Sequence, residues 1–412
     1  GGVYFGSTGT FTMSGGTMSG NTATSAAGGV YYGSNGGAFT MSGSAVIAQN
    51  NDVYLPNTKQ ITINGTLTPS GSEYAAKLTP QTYPAATETV NALTVGTGGT
   101  AAQLQAAALK FTVTPSGTTN YYVDADGKIR SVQTVLVPIP AGTITGSSAY
   151  VYNTNTGVFI AGRTVTLSVY SMATYETTYE LWYTVRQWAV NRTTNPYTFS
   201  TGMEGNAGTT GAPTAEGKTK PVTTITWGDI IVWCNAYSEL TGLTPVYTSS
   251  GNVIRSTSAA TNPEMTLTSN GYRLPTEAEW ENAARGGVGA TNYAYQWAGT
   301  NTESVLNNYA WFSNGAGGDS GSTTHPVGEK LGNSLGLFDM SGNVCEWCWD
   351  WYNATIDTGS VTDPTGPSTG SLKVHRGGST DNNSSVYLRL VYRNSYGSAS
   401  SMVGFRVARS GS

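Results

Sequence analysis

The opening of the chain comes back. "GGVYFGSTGTFTMSG" from Gly1 returns as "GGVYYGSNGGAFTMSG" from Gly28, which sets Phe11 against Phe39 and Met13 against Met41 at a spacing of 27 to 28 residues. Apolar residues recurring between glycine turns at such a period constrain a chain strongly. One repeat is too small to bury its own side chains, whereas stacking like on like gives them a shared core. Residues 1–55 therefore read as β-solenoid coils. A disordered Gly/Ser linker is the competing reading, and the ordered return of Val, Tyr, Phe and Met argues against it. Two coils do not close a core, so the end of the stack needs a cover. Upstream coils, the following domain, or a second copy associating through the solenoid end would each supply one.

From Pro56 to Ser148 the pattern changes to short alternating runs such as "QITINGTLT", "LKFTVTPSG" and "SVQTVLVPIPAGTITG", broken by Gly, Pro, Asn and Ser. This reads as a β-rich connecting region, with "TAAQLQAAALKF" its helical candidate. Composition agrees: charged residues make up 11% of the chain and glycine fills 53 positions, which favours strands over helical bundles. A formal charge of −4 leaves no basic footprint, so nucleic acid is not an expected partner. No apolar run approaches about 18 residues, so no membrane span is expected. The chain opens on Gly1 rather than Met, as expected of a trimmed N-terminus whose trimming would take any export signal with it.

Helix signals begin after residue 149. "TTYELWYTVRQWAV" offers Thr177 and Glu180 as a capping box, with Leu181, Val185 and Trp188 on one face. "TWGDIIVWCNAYSELTG" has Thr226 as N-cap, Ile230, Cys234 and Tyr237 on one face, and Gly242 as its stop. "RLPTEAEWENAARGG" pairs Thr276 with Glu279 and turns Trp280, Ala283 and Ala284 inward before Gly286. Short helices among strands and long loops make residues 149–412 an α+β domain.

Four blocks of this region, "VTLSVYSMATYETTYELW", "GYRLPTEAEWENAARGG", "GLFDMSGNVCEWCWDWY" and "HRGGST…LRLVYR…VGFRVAR", stand in the order found in the formylglycine-generating-enzyme-like domains, also called sulfatase-modifying-factor domains. The chain resembles that family over residues 149–412, and the resemblance implies a C-type-lectin-like fold with added helices and loops. It does not by itself imply the activity. The family's oxidases carry a pair of redox cysteines between the RGGS turn and the GFR strand, and the interval Thr380–Val403 holds none. The soft ligands that copper needs are missing, and formylglycine generation with them. A sister group holds non-haem iron with three histidines, and this chain has two, His325 and His375. Neither copper nor iron is expected. Structural Ca²⁺ bound through the Asn and Glu of the GNVxEW turn is common in the family, which implies Asn343 and Glu346 here; an ordinary capped loop fits the same residues equally well. The N-terminal coils in turn resemble β-helix repeats of bacterial surface proteins.

Cys345 and Cys348 form a C-x-x-C, a spacing that elsewhere marks zinc or thiol exchange. Zinc would need two further ligands from among Cys234, His325 and His375. Alternation with Trp347, Trp349 and Trp351 instead favours buried, structural cysteine, and Cys234 on the apolar face of its helix reads the same way.

What remains is "RGGSTDNNSSVYLRLVYR", Arg376 to Arg393. Leu388, Leu390 and Tyr392 alternate as in a strand, while Ser, Asn, Asp and Tyr dominate the rest. That is the composition of antibody binding loops, where Tyr supplies area at low entropic cost and Ser and Asn supply adaptable hydrogen bonds. The layout resembles the variable proteins of diversity-generating retroelements, which place a mutable Asn-rich block before a GFR strand of the same lectin-like fold. By that resemblance Asp381, Asn382, Asn383, Tyr387, Arg389, Tyr392, Asn394 and Tyr396 are the candidate ligand-binding residues. The expectation is a non-catalytic, cell-surface or secreted bacterial protein of adhesin type, whose partner is a protein or glycan on a host or bacterial surface. A structural protein assembling into a surface layer or filament, and an enzyme of unrecognised reaction, are the alternatives.

Overall fold

The computed structural model describes residues 2–22, 28–70, 74–85, 88–108, 110–116, 121–124, 126–131, 134–152, 155–192, 194–313 and 321–411. The chain divides into two compact units, Gly1–Gln133 and Thr134–Ser412.

The first unit is mostly β, and its strands pair in parallel. Val3–Phe5, Val30–Tyr32, Asp52–Leu55, Ala76–Pro80 and Phe111–Val113 follow one another across one sheet. Thr10–Met13, Ala38–Gly43, Ile61–Leu67 and Leu93–Val95 do the same in a second. The register sets Phe11 on Phe39 and Met13 on Met41, and then Phe39 on Ile61 and Met41 on Ile63. Phe39 and Met41 are fully buried, while Phe11 and Met13, on the end strand, are only partly so. On the opposite side of the first sheet's pleat, Tyr4, Tyr31 and Tyr54 stack at centroid spacings of 5.3 and 4.8 Å. The boundary expected after residue 55 lies inside this unit, because the parallel pairing continues through Phe111–Val113. The helix expected here forms as α1, Ala101–Ala108. Thr100 Oγ1 accepts from Gln103 N while Gln103 Oε1 accepts from Thr100 N, so its first turn is capped reciprocally.

The second unit is α+β and begins before residue 149, since Leu136–Ile139 pairs with Tyr170–Ala173 and Gly142–Thr145 with Arg163–Leu167. Its helices are α2 (Tyr179–Val190), α3 (Trp227–Leu240) and α4 (Glu277–Ala284). Thr226 and Thr276 cap α3 and α4 as expected, each in a full capping box. For α2 the cap is Thr178 rather than Thr177, whose backbone N–H is taken by the carbonyl of Phe405 at 2.8 Å. The buried face moves accordingly to Tyr179, Trp182, Val185 and Ala189. Trp182 stacks flat on Trp233 of α3 at 5.6 Å, and Phe405 closes edge-on against both rings. α4 is buried along its whole length even though it carries Glu277, Glu279 and Glu281.

Phe39→Ala is expected to cost about 3–5 kcal/mol, the usual range for emptying a fully buried phenylalanine site. Phe11→Ala, on the partly buried end strand, should cost clearly less. Denaturant unfolding read out by proteolysis of residues 3–113 checks this, and equal losses at both positions would mean that the rungs share no graded core.

Candidate functional site

The frame of the site is the sheet formed in order by Asn394–Tyr396, Lys373–Arg376, Cys345–Trp351 and Val403–Gly404. Opposite residues share a face. The pairings Trp347↔His375↔Asn394 and Trp351↔Lys373↔Tyr396 therefore line one side of the sheet, and Glu346↔Arg376 the other.

The inner side is held by charge. Glu346 accepts from Arg406 Nε at 2.7 Å, from Arg406 Nη2 at 2.6 Å and from Trp280 Nε1 at 2.7 Å. Arg376 Nη2 donates to Glu281 at 2.6 Å and to the carbonyl of Leu390 at 2.7 Å, and its Nη1 to the carbonyl of Tyr392 at 3.2 Å. One buried guanidinium thus ties the backbone of the Asn-rich stretch to α4. Further anchors are Trp297 Nε1 on the Ser385 carbonyl at 2.8 Å and Ser341 Oγ on the Leu388 carbonyl at 3.0 Å. These backbone tethers replace strand pairing: Ser385–Leu388 is a 3-10 turn, and the strand expected at Leu388, Leu390 and Tyr392 does not form. The turn that launches the stretch requires glycine. Gly377 has φ +95°, and a Cβ there would meet the Trp280 ring at 3.3 Å.

With the backbone pinned, side chains sort by position. Asp381, Asn383, Tyr387, Asn394 and Tyr396 are exposed, Asn382 and Tyr392 are half-buried, and Tyr387 stands edge-on to Tyr392 at 5.1 Å. Arg389 does not join them. It is buried, with its guanidinium 3.3 Å from the centre of the Tyr152 ring and 4.3 Å from that of Trp297, so it belongs to the frame.

Asn343 and Glu346 do not present their side chains as a calcium shell. Asn343 Oδ1 accepts from His325 N at 3.0 Å and its Nδ2 donates to Glu176 at 2.6 Å. The oxygens of Glu346 are engaged by Arg406 and Trp280, so this donor set does not fit a hard cation through those side chains. Copper does not fit either. Cys345 and Cys348, three apart on one strand, emerge on opposite faces, and burial pushes the Cys345 thiol up to about 12 and that of Cys348 well above its usual value. Among the described residues no group of three or more His, Cys, Asp or Glu is placed to hold a metal ion.

Sequence reasoning missed Lys373 and His375, whose only signal was their place in a strand opposite alternating tryptophans. Lys373 is buried, its Nζ 3.7 Å from the Trp351 ring centre and 3.8 Å from that of Trp227, donating to the Trp349 carbonyl at 2.8 Å. Burial lowers its amine to about 7. It lines a cavity of about 260 Å³ with Trp227, Trp347, Trp351 and Tyr396. On the same face of the sheet a smaller cavity of about 100 Å³ lies between Cys345, His375, Asn382, Tyr387, Tyr392 and Asn394. Of the expected binding residues, Asn382, Tyr387, Tyr392 and Asn394 therefore converge on one cavity and Tyr396 walls the other. Asp381 and Asn383 line neither.

Residues 124–411 match the family profile described as "Sulfatase-modifying factor enzyme 1-like domain", and the chain belongs to that family. A relative described as "Chaperone protein LppX" from Paenibacillus barcinonensis is 34% identical over 210 residues, 46% of this chain and 65% of its own. The formylglycine-generating enzyme of Streptomyces coelicolor is 40% identical over 119 residues, 26% of this chain and 36% of its own. The chain thus spans less than two thirds of the length of these relatives. Among solved structures, Treponema denticola variable protein 1 superposes with a TM-score of 0.53 at 31% identity, covering 72% of this chain and all of its own.

Two outcomes follow from the inner face and its neighbour. Glu346→Ala, which strands Arg406 in the core, is expected to cost about 3–5 kcal/mol in thermal or denaturant unfolding, whereas a chelator should leave the unfolding of the intact protein unmoved. For His375, burial and the adjacent Arg376 hold the imidazole down to about 4, below the usual 6.5. Between those values the unfolded chain binds the extra proton, so the stability contribution is present above about pH 6.5 and is lost as pH falls toward 4. A His375→Phe variant should show a shallower acid-side loss, and an imidazole titrating near 6.5 by NMR would contradict this.

Proposed function

We propose that this member of the family is a non-catalytic binding protein whose Asp381–Tyr396 stretch forms the ligand-binding face. The observation that carries the reading is the division of labour within the stretch. Buried Arg376, Trp297 and Ser341 hold its backbone carbonyls, while Asp381, Asn383, Tyr387, Asn394 and Tyr396 are left free to meet a partner. Side-chain identity can change there without disturbing the frame, which is the arrangement a diversified binding face needs. The likeness to a variable protein of Treponema denticola supports it, and so does the absence of any cysteine between Thr380 and Val403. In this reading the partner is a protein or glycan on a host or bacterial surface, and the protein works as an adhesin at the cell surface or after secretion. The parallel rungs of residues 3–113 then serve as a short β-solenoid stalk, a role supported by the stacking of Phe on Phe and Tyr on Tyr.

The test pairs stability with adhesion. Tyr387→Ala and Tyr396→Ala should each change stability by no more than about 0.5 kcal/mol, and together should weaken adhesion to host or bacterial cells by roughly thirtyfold, as loss of an aromatic anchor of about 2 kcal/mol does. Phe405→Ala should instead cost about 3–5 kcal/mol. If the tyrosine variants unfold the unit as Phe405→Ala does, the stretch is scaffold and the proposal fails.

A further inference from the structure

The small cavity under the binding stretch carries more hydrogen-bonding capacity than the protein uses. His375 Nδ1, His375 Nε2 and Arg376 Nε are all buried and without a partner, and both residues line the cavity. His375 is 4% exposed and Arg376 1%, so bulk water does not serve these atoms in passing. Buried polar groups left unpaired are costly and uncommon in folded proteins, which makes a cluster of them around one opening a mark of a missing ligand group.

What they would accept can be read from their chemistry. The two Nη atoms of Arg376 are committed to Glu281, Glu277 and the carbonyls of Leu390 and Tyr392, which leaves its Nε–H as a free donor. A neutral imidazole supplies one further N–H beside it. The charges joined to this guanidinium are Arg285, Arg376 and Arg393 against Glu277 and Glu281, an excess of one positive charge. The nearby carboxylate of Asp381 accepts from Ser379 Oγ at 2.6 Å and does not line the cavity. A volume of about 100 Å³ takes a planar group of a few heavy atoms.

We infer that this cavity is a socket for a carboxylate, one oxygen accepting from Arg376 Nε–H and the other from the N–H of His375. A primary amide has a single acceptor oxygen and brings its own N–H donors toward the guanidinium, so the socket discriminates against it. Tyr387 and Asn394 stand exposed at the opening, where a partner's acidic side chain or chain end would enter. Only this last step rests on the binding-face reading; the chemistry of the socket does not need a partner.

The experiment uses the full chain, isotope-labelled, with acetate as the probe and acetamide and sodium chloride as controls. Acetate should saturably shift the imidazole nitrogens of His375 and the Nε–H of Arg376, and acetamide should bind at least tenfold more weakly. His375→Leu should abolish the Arg376 response. Should that buried variant fail to fold, Asn394→Phe, at the exposed opening, should weaken acetate binding while leaving the fold intact. N-acetylglycine presents the carboxylate as a chain end and N-acetylaspartate α-methylamide presents it as a side chain, so the tighter of the two names the source. Equal responses to acetate and acetamide, or none to either, would overturn the socket and leave the cavity to water. Acetate binding together with unchanged adhesion of the Tyr387 and Tyr396 variants would keep the socket and discard the binding face.

Discussion

A core that holds ionised groups must satisfy them completely, and the second unit is organised around that requirement. Arg273 with Glu279, Arg285 and Arg376 with Glu281, Arg393 with Glu277 and Arg406 with Glu346 are buried or nearly so. Moving an ion pair out of water costs more than its mutual attraction returns unless further hydrogen bonds complete each group. They do so here through backbone: Arg406 also donates to the carbonyls of Ala173, Thr174 and Phe338, and Arg376 to those of Leu390 and Tyr392. Most of these charges come from α4, a helix with no solvent face, which explains why a sequence of three glutamates in eight residues can lie at the centre of a domain.

Such a lattice favours geometry over stability. Its members tolerate little displacement, since each lost partner strands a charge, and this rigidity is passed to the Asn-rich stretch through carbonyl oxygens that every residue type possesses. The exposed side chains of that stretch are correspondingly uncoupled from the fold. Tight tethering of backbone and freedom of side chain are thus two sides of one arrangement, and it suits recognition better than chemistry. The thiols available nearby are protonated and buried, and the carboxylates are paired.

Much of this was legible in the chain. The return of Phe11 and Met13 as Phe39 and Met41 foretold the parallel register, because identical side chains at one period have one economical way to stack. The Thr-x-x-Asp and Thr-x-x-Glu starts of α3 and α4 were equally plain, since capping is local. The cap of α2 was misplaced by one residue because Thr177 and Thr178 are alike locally, and a strand from the far end of the chain decides between them. Leu388 and Leu390 alternate as a strand does, yet side-chain donors from Trp297 and Ser341 claim the carbonyls, and no periodicity reports that. Asn343 and Glu346 were visible as polar residues in a tight turn, but nothing local revealed that Arg406 would occupy the acid. Arg389 carried a charge that sequence alone would leave in water, and two aromatic rings bury it.

The partners of Arg406 have a consequence in time. Its guanidinium reaches carbonyls 232 and 233 residues earlier in the chain, and the backbone of Phe405 completes the start of α2. Contacts of such sequence separation carry a large closure entropy and form slowly. A ribosome or export channel that delivers this chain from its N-terminus releases these closing residues among the last. Until then Glu346 lacks its arginine and Trp182 and Trp233 lack the ring that seals them. The parallel rungs of the first unit, built from neighbours in sequence, need no such wait. The protein is therefore expected to mature in two steps, an early local one and a late one triggered by the arrival of the GFR strand, with the binding stretch drawn into place in the same final event.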